Sequence, residues 1–237
     1  MKIDFRSFRE KLEVDKRDLP PMGLRVYTGP QGAGKTLSMV HDALEMLARY
    51  PQMMLVTNLE IKIEELKART YSFEGAGGLR KALNACRNGE NGILMLVDEF
   101  QLFASKKDGV SMDVFHALCQ QRKQRRFMMG TAQNWEDVDV STRKKVKEVV
   151  KCCTIAGKFQ FDQVYDGYSI KWDNRENNWT CRKIGVSIFK HNTKLYSKYD
   201  TYAEVITNKD RFEVPTSLAK SVAAPASPKS PELSLKR

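Results

Sequence analysis

A mostly parallel α/β sheet flanked by helices is the fold class the sequence predicts, on three observations. Short buried strands alternate with helical stretches from residue 23 to about residue 158. The first strand, Leu24–Thr28, runs into Gly29-Pro30-Gln31-Gly32-Ala33-Gly34-Lys35-Thr36, the pattern G-x-x-x-x-G-K-[ST] of a phosphate-binding loop. A later apolar run, Ile93 to Val97, ends in the carboxylates Asp98 and Glu99. Continuous apolar runs of this kind are strands covered by helices on both faces.

Taken in order, residues 1–22 carry Phe5, Phe8 and Leu12 at helical spacing, which predicts an amphipathic helix stopping before Leu19-Pro20-Pro21. It is expected to pack across the nucleotide domain, because Asp4, Glu10, Glu13 and Asp15 oppose attraction to anionic lipid. After the first strand, Thr36 to Tyr50 reads as a helix and Met53 to Leu59 as a second buried strand. Ile61 to Ala68 is expected as a short helix, Glu74 to Gly78 as a glycine-rich loop and Leu79 to Arg87 as a helix. The third strand is Ile93–Phe100. A helix from Ser111 to Arg122 has Asp113 in its first turn, and Phe127 to Gln133 is the fourth strand. Asp137 to Val150 is mixed and expected to be helical, before a fifth strand at Cys152–Ala156. Loose alternation of Phe159, Phe161, Tyr165, Ile170 and Trp172 predicts a small antiparallel ribbon over 159–190. From Pro215 the chain holds Pro, Ser, Ala and Lys with few large apolar groups, the composition of a disordered tail. The expected organisation is therefore a helical segment 1–22, a nucleotide-binding core 23–158, a β-rich extension 159–214 and a tail 215–237.

The loop's chemistry follows from its residues. Glycines at 29, 32 and 34 allow left-handed backbone, so that N–H groups converge on one point. The following helix adds its positive end there. Lys35 can reach the β- and γ-phosphates of ATP, and the Thr36 hydroxyl can ligate Mg²⁺. Asp98 would hold the same Mg²⁺ through water, and Glu99 would orient and deprotonate an attacking water. Two successive carboxylates favour hydrolysis over transfer to a small molecule. Gln133 ends the fourth strand, where ligands of such sheets bind, and its amide could contact the γ-phosphate; Asn134 is the substitute.

Composition narrows the partners. The 237 residues carry a formal net charge of +11, with 41% apolar and 29% charged residues. That describes a globular chain with a polyanionic partner. No apolar run reaches the length of a bilayer span, and the five cysteines form no C-x-x-C pair, which predicts a reduced setting without a structural metal. Between Cys119 and Lys151 nine Lys/Arg stand against four Asp/Glu, in the runs Arg122–Arg126 and Arg143–Lys151. Because these runs flank the strand carrying Gln133, they are expected near the nucleotide edge. They suit either phosphate-backbone contacts or an arginine finger given to a neighbouring subunit, with Arg122, Arg125, Arg126 and Arg143 as the candidates.

The phosphate loop, Thr57-Asn58-Leu59, Val97-Asp98-Glu99 with Phe100-Gln101, and the basic helix leading to Thr131-Ala132-Gln133-Asn134 together resemble the Zot-like phage ATPases of the FtsK–HerA superfamily. The resemblance covers roughly residues 23–155. It implies a P-loop NTPase sheet of ASCE type, with the fourth strand between the first and third, and oligomeric rings whose subunits share sites. Filamentous-phage members carry a membrane span after the ATPase domain, and this sequence has none. The resemblance therefore implies a motor that packages viral double-stranded DNA, in the host cytoplasm or associated with the virion. The alternative is an assembly or export ATPase acting with a separate membrane or capsid partner. A small-molecule kinase and a non-hydrolysing nucleotide-binding protein are the remaining rivals.

Overall fold

The computed structural model describes residues 19–105, 109–110, 112–175, 178–199 and 211–215. The predicted N-terminal helix at Phe5, Phe8 and Leu12, and the tail from residue 216 on, lie outside the described residues.

Period-two alternation within the apolar runs decides how the layers stack. In β4 (Ile93–Val97) all five residues are buried. Ile93, Met95 and Val97 join one core cluster, and Leu94 and Leu96 join the other. The same division recurs in β1 (Gly23–Thr28), with Leu24 and Val26 opposite Tyr27, and in β5 (Arg126–Ala132), with Met128 opposite Phe127 and Met129. Helix α1 (Lys35–Arg49) covers one face with Leu37, Val40, Ala43 and Leu47. Helices α3 (Gly75–Ala85) and α4 (Met112–Cys119) cover the other with Leu79, Ala82 and Leu83, and Val114 and Leu118. The result is a three-layer α/β/α arrangement.

The remaining strands of the main sheet are β2 (Met54–Thr57), β3 (Thr70–Glu74), β6 (Val146–Ile155), β7 (Phe159–Asp166), β8 (Lys183–Lys190) and β9 (Arg211–Glu213), and two short antiparallel pairs, Ala104–Ser105 with Gly109–Val110 and Lys171–Asp173 with Asn178–Thr180, stand outside it. The shorter helices are α2 (Glu64–Lys67), α5 (Val140–Arg143) and α6 (Thr193–Tyr196). One sheet runs in the order β8-β7-β6-β1-β5-β4-β2-β3-β9. The six strands from β6 to β3 are parallel, whereas β7, β8 and β9 pair antiparallel. Strand β5 lies between β1 and β4, the ASCE order that the resemblance implies. The antiparallel strands continue the main sheet: β7 pairs with β6 from Glu148↔Asp166 to Ile155↔Phe159.

Three elements depart from the sequence reading. Strand β3 was not predicted, and its alternating Thr-Tyr-Ser-Phe-Glu pairs in parallel with β2. The expected loop at Glu74–Gly78 is instead the first turn of α3. Glycine is a poor helix former there, but at Gly78 a Cβ would stand 2.2 Å from the Arg211 carbonyl oxygen, so β9 can approach only because none is present. Finally, helix is confined to α5, and strand begins at Val146. A buried network explains why a charged stretch can be a central strand: Arg25 Nε of β1 donates to Glu148 Oε2 of β6 at 2.7 Å, and its Nη1 to Asp42 Oδ2 of α1 at 2.9 Å. Tyr27 Oη donates to the same Asp42 oxygen at 2.7 Å. Removing one member of such a buried set typically costs about 3–5 kcal/mol. The network ties α1, and hence the loop before it, to the sheet.

Candidate active site

The loop from Gly29 to Gly34 joins β1 to α1 at the carboxyl edge of the sheet. Gly29, Gly32 and Gly34 have φ of 151°, 79° and 81°, left-handed values that residues with a Cβ rarely adopt. Gly34 is the N-cap of α1, and the Ser38 amide returns to its carbonyl at 2.9 Å. The Gly29 N–H donates to the Gln133 carbonyl oxygen at 3.3 Å, which fastens the loop to the end of β5. Lys35 Nζ lies folded on the loop, 3.1 Å from the Pro30 carbonyl oxygen.

Opposite the loop, Asp98 follows β4. Its Oδ1 accepts hydrogen bonds from Thr36 Oγ1 at 3.0 Å and from Thr131 Oγ1 at 2.7 Å. The Thr131 hydroxyl in turn accepts the Glu99 N–H at 2.9 Å. Asn58, just past β2, clamps the Asp98 backbone at two points: Nδ2 donates to its carbonyl at 3.0 Å, and Oδ1 accepts its N–H at 2.8 Å. Glu99 has φ 51° and ψ 47°, a left-handed conformation with a steric cost for a side chain of its kind. The bonds from Asn58 and Thr131 hold that turn and aim the carboxylate, which accepts a hydrogen bond from Gln101 Nε2.

Most of the predicted site is thereby brought together. Lys35, Thr36, Asp98, Glu99 and Gln133 all stand at one edge of the sheet, and the Gln133 side chain is exposed there. The Thr36 hydroxyl and the Asp98 carboxylate are hard oxygen donors meeting at the loop's mouth, a donor set that fits Mg²⁺. The arginines depart from expectation. Arg122, Arg125 and Arg126 lie at the amino end of β5, one strand length of about 20 Å from the loop. Alternation with helices makes the chain enter each parallel strand at the far edge, so a run preceding β5 cannot lie beside Gln133. Arg126 is 1% exposed and unable to reach a neighbouring subunit. Arg143 is held between the rings of Trp135 and Trp179, at 5.9 and 5.5 Å.

Sequence reasoning gave three residues of the site no role there, although Asn58 and Thr131 stand in segments that carry the resemblance. Thr131 and Asn58 leave only a faint signal: a hydroxyl inside the apolar run of β5, and an amide at a strand end. The third, Gln160 of β7, is fully buried. Its Nε2 donates to the Ala33 carbonyl of the loop at 2.9 Å, and to Asp162 Oδ1 at 2.8 Å. Its Oε1 accepts from Thr154 Oγ1 at 3.0 Å and stands 3.2 Å from His191 Nε2. A Cβ on Gly34 would fall 2.2 Å from that Oε1, so the side chain fills the space under the loop. The sequence signal is a pair of polar residues, Gln160 and Asp162, on one face of an aromatic strand.

The sequence profile of the ATPase family associated with various cellular activities (AAA) matches residues 26–153. No curated protein matches the chain. Among solved structures, the chain is similar to the N-terminal domain of zonular occludens toxin from Neisseria meningitidis, with 18% identity and a TM-score of 0.50 over 75% of this chain and 98% of that one. It is also similar to the genome packaging NTPase B204 of Sulfolobus turreted icosahedral virus 2 in complex with ATP-gammaS, at 12% identity and a TM-score of 0.48 over 68% and 97%. A third is the flagellar accessory protein FlaH of Methanocaldococcus jannaschii, at 11% identity and 0.47 over 79% and 97%. The likeness to the toxin domain is one of fold, and it agrees with the resemblance drawn from the motifs. Among the described residues no helix is long and apolar enough to cross a membrane.

Proposed function

Since the chain belongs to the ATPase family associated with various cellular activities (AAA), we propose that its ATP hydrolysis drives translocation or packaging of viral double-stranded DNA by a ring of identical subunits. The observation that carries the chemical half is the chain of hydrogen bonds Thr36–Asp98–Thr131–Glu99 at the loop's mouth. Lys35 leaves the Pro30 carbonyl and takes the β- and γ-phosphates, whose negative charge outbids a neutral acceptor. Thr36 and Asp98 would hold Mg²⁺, which would neutralise charge on the phosphate oxygens. Glu99 accepts the proton of the attacking water on its carboxylate, with Gln101 fixing its direction. Gln133 contacts the γ-phosphate with its exposed amide and, through its carbonyl, couples that contact to Gly29. An arginine from the next subunit stabilises the transferring charge, with Arg122, Arg125 and Arg143 as the candidates.

The translocation half rests on the charge of +11 and on the resemblance of the motifs. Exposed lysines and arginines would follow the DNA backbone without reading its sequence. Such a motor would work in the host cytoplasm or attached to the virion. The reading in which the ATPase drives assembly or export with a separate protein partner is favoured by one observation. The outer face of the antiparallel strands exposes Ile155, Phe159 and Ile188 at 50%, 45% and 52%. Steady-state hydrolysis with and without duplex DNA separates the two readings. A motor is stimulated to similar extents by duplexes of unrelated sequence, and the stimulation falls steeply as salt rises. Hydrolysis indifferent to DNA at every salt concentration leaves the export reading.

A further inference from the structure

Two arginines among the described residues are buried, and they are treated very differently. Arg25 is met by Glu148 and Asp42. Arg126, 1% exposed, is acted on by no carboxylate among the described residues; Arg87 repels it, and the Cys86 thiol beside it, whose pKa is pushed up to about 11 by burial, is neutral. Buried arginines are almost never left unpaired. Burial first, and then Arg87, pull the Arg126 pKa down to about 10, which records how poorly its charge is compensated. Its Nε finds no hydrogen-bond partner among the described residues.

What Arg126 does touch is the end of α3. Its Nη2 donates to the Leu83 carbonyl at 3.0 Å, and Arg87 Nη1 donates to the carbonyls of Leu83 and Cys86 at 3.2 and 2.9 Å. A helix terminus supplies only about half a negative charge, against two full positive ones. Arg126 and Leu83 form the floor of a cavity of about 230 Å³. Arg87, Asn84, His116 and Gln120 are exposed at its rim. The volume is below the roughly 300 Å³ at which drug-sized ligand pockets begin, and suits a small ion with its waters. The lining holds guanidinium and amide donors and an imidazole, with no acidic side chain among the described residues.

We propose that this recess, at the end of β5 away from the nucleotide loop, binds a phosphate-class oxyanion between Arg126 and Arg87. The anion supplies the charge that no described residue gives Arg126, and the amides of Asn84, Gln120 and Gln124 complete its hydrogen bonds. A free phosphate ion and a phosphate group of a polynucleotide share this chemistry.

The test is calorimetric titration of the full chain with inorganic phosphate at constant ionic strength, with the nucleotide loop first filled by a non-hydrolysable ATP analogue. One further site is expected, weakened at least about tenfold in Arg87→Gln and in Arg126→Met through loss of a charge-assisted contact. Without phosphate, Arg126→Met should melt no lower than the parent, because it removes an uncompensated buried charge. Phosphate should then raise the melting temperature of the parent and not of the variant. Should Arg126→Met fail to fold, Arg87→Gln decides alone, since that side chain is exposed. Competition by a short duplex identifies a polynucleotide as the source, and its absence identifies the free ion. Phosphate binding that is absent, or equal in the parent and Arg87→Gln, overturns the proposal.

Discussion

One oxygen of Asp98 takes hydrogen bonds from two threonines, and the two hydroxyls do different work. Thr36 belongs to the loop and can turn to an ion, whereas Thr131 is fully buried and also receives the Glu99 N–H. Thr131→Val keeps the shape but leaves the Glu99 N–H without its acceptor, while Asp98 retains Thr36, a loss of about 1–3 kcal/mol in stability. It should lower turnover while ATP binding holds. Glu99→Gln separates the roles further: folding and ATP binding are retained, and turnover falls about 10²-fold or more because no base remains. Parallel binding and turnover measurements check both, and a Glu99→Gln enzyme with parental turnover would move the base elsewhere. Lys35, Thr36 and Asp98 were legible because phosphate chemistry fixes their type and spacing. Thr131 and Asn58 were not, because a hydrogen bond across 33 or 40 residues imposes no local pattern.

Among the elements, β7 has a role beyond lengthening the sheet, since its Gln160 braces the phosphate loop from beneath. In Gln160→Ala the Ala33 carbonyl loses its donor and Gly34 its support. The KM for ATP should rise severalfold while kcat changes little, as expected for a positioning residue; an unchanged KM would remove the brace. Strand β8 is joined to α1 by His41, whose ring stacks on Phe189 at 4.0 Å. Burial alone would lower the His41 pKa, but the hydrogen bond and charge of Asp42, with Glu45 and Asp162, hold it above its usual value. A raised pKa contributes stability that is present below about pH 6.5, the unfolded value, and lost as pH rises through the folded value. The melting temperature should therefore fall across that window, and His41→Phe should flatten the dependence. Elements set by local pattern, such as α1 and β4, were legible in the sequence. The first turn of α3 and the start of β6 were not, because Arg211 packing on Gly78 and the Arg25–Glu148 pair override local preference.

For the molecule as a whole, the order of parallel strands was legible only through the resemblance, since alternation predicts a parallel sheet without saying which strands adjoin. That order matters to the mechanism: β5 between β1 and β4 brings Gln133 against Gly29 and Thr131 against Asp98. Among the described residues nothing of the phosphate loop holds Arg122 or Arg125, whereas Arg143 lies against the rings of Trp135 and Trp179. A ring in which each site borrows an arginine has a collective property that no single subunit has. The direct measurement is the hydrolysis rate, with duplex DNA present, of mixtures in which Glu99→Gln subunits progressively replace the parent at constant total protein. A shared-site motor predicts activity falling more steeply than the fraction of parent subunits. A fall in strict proportion to that fraction would contradict the ring.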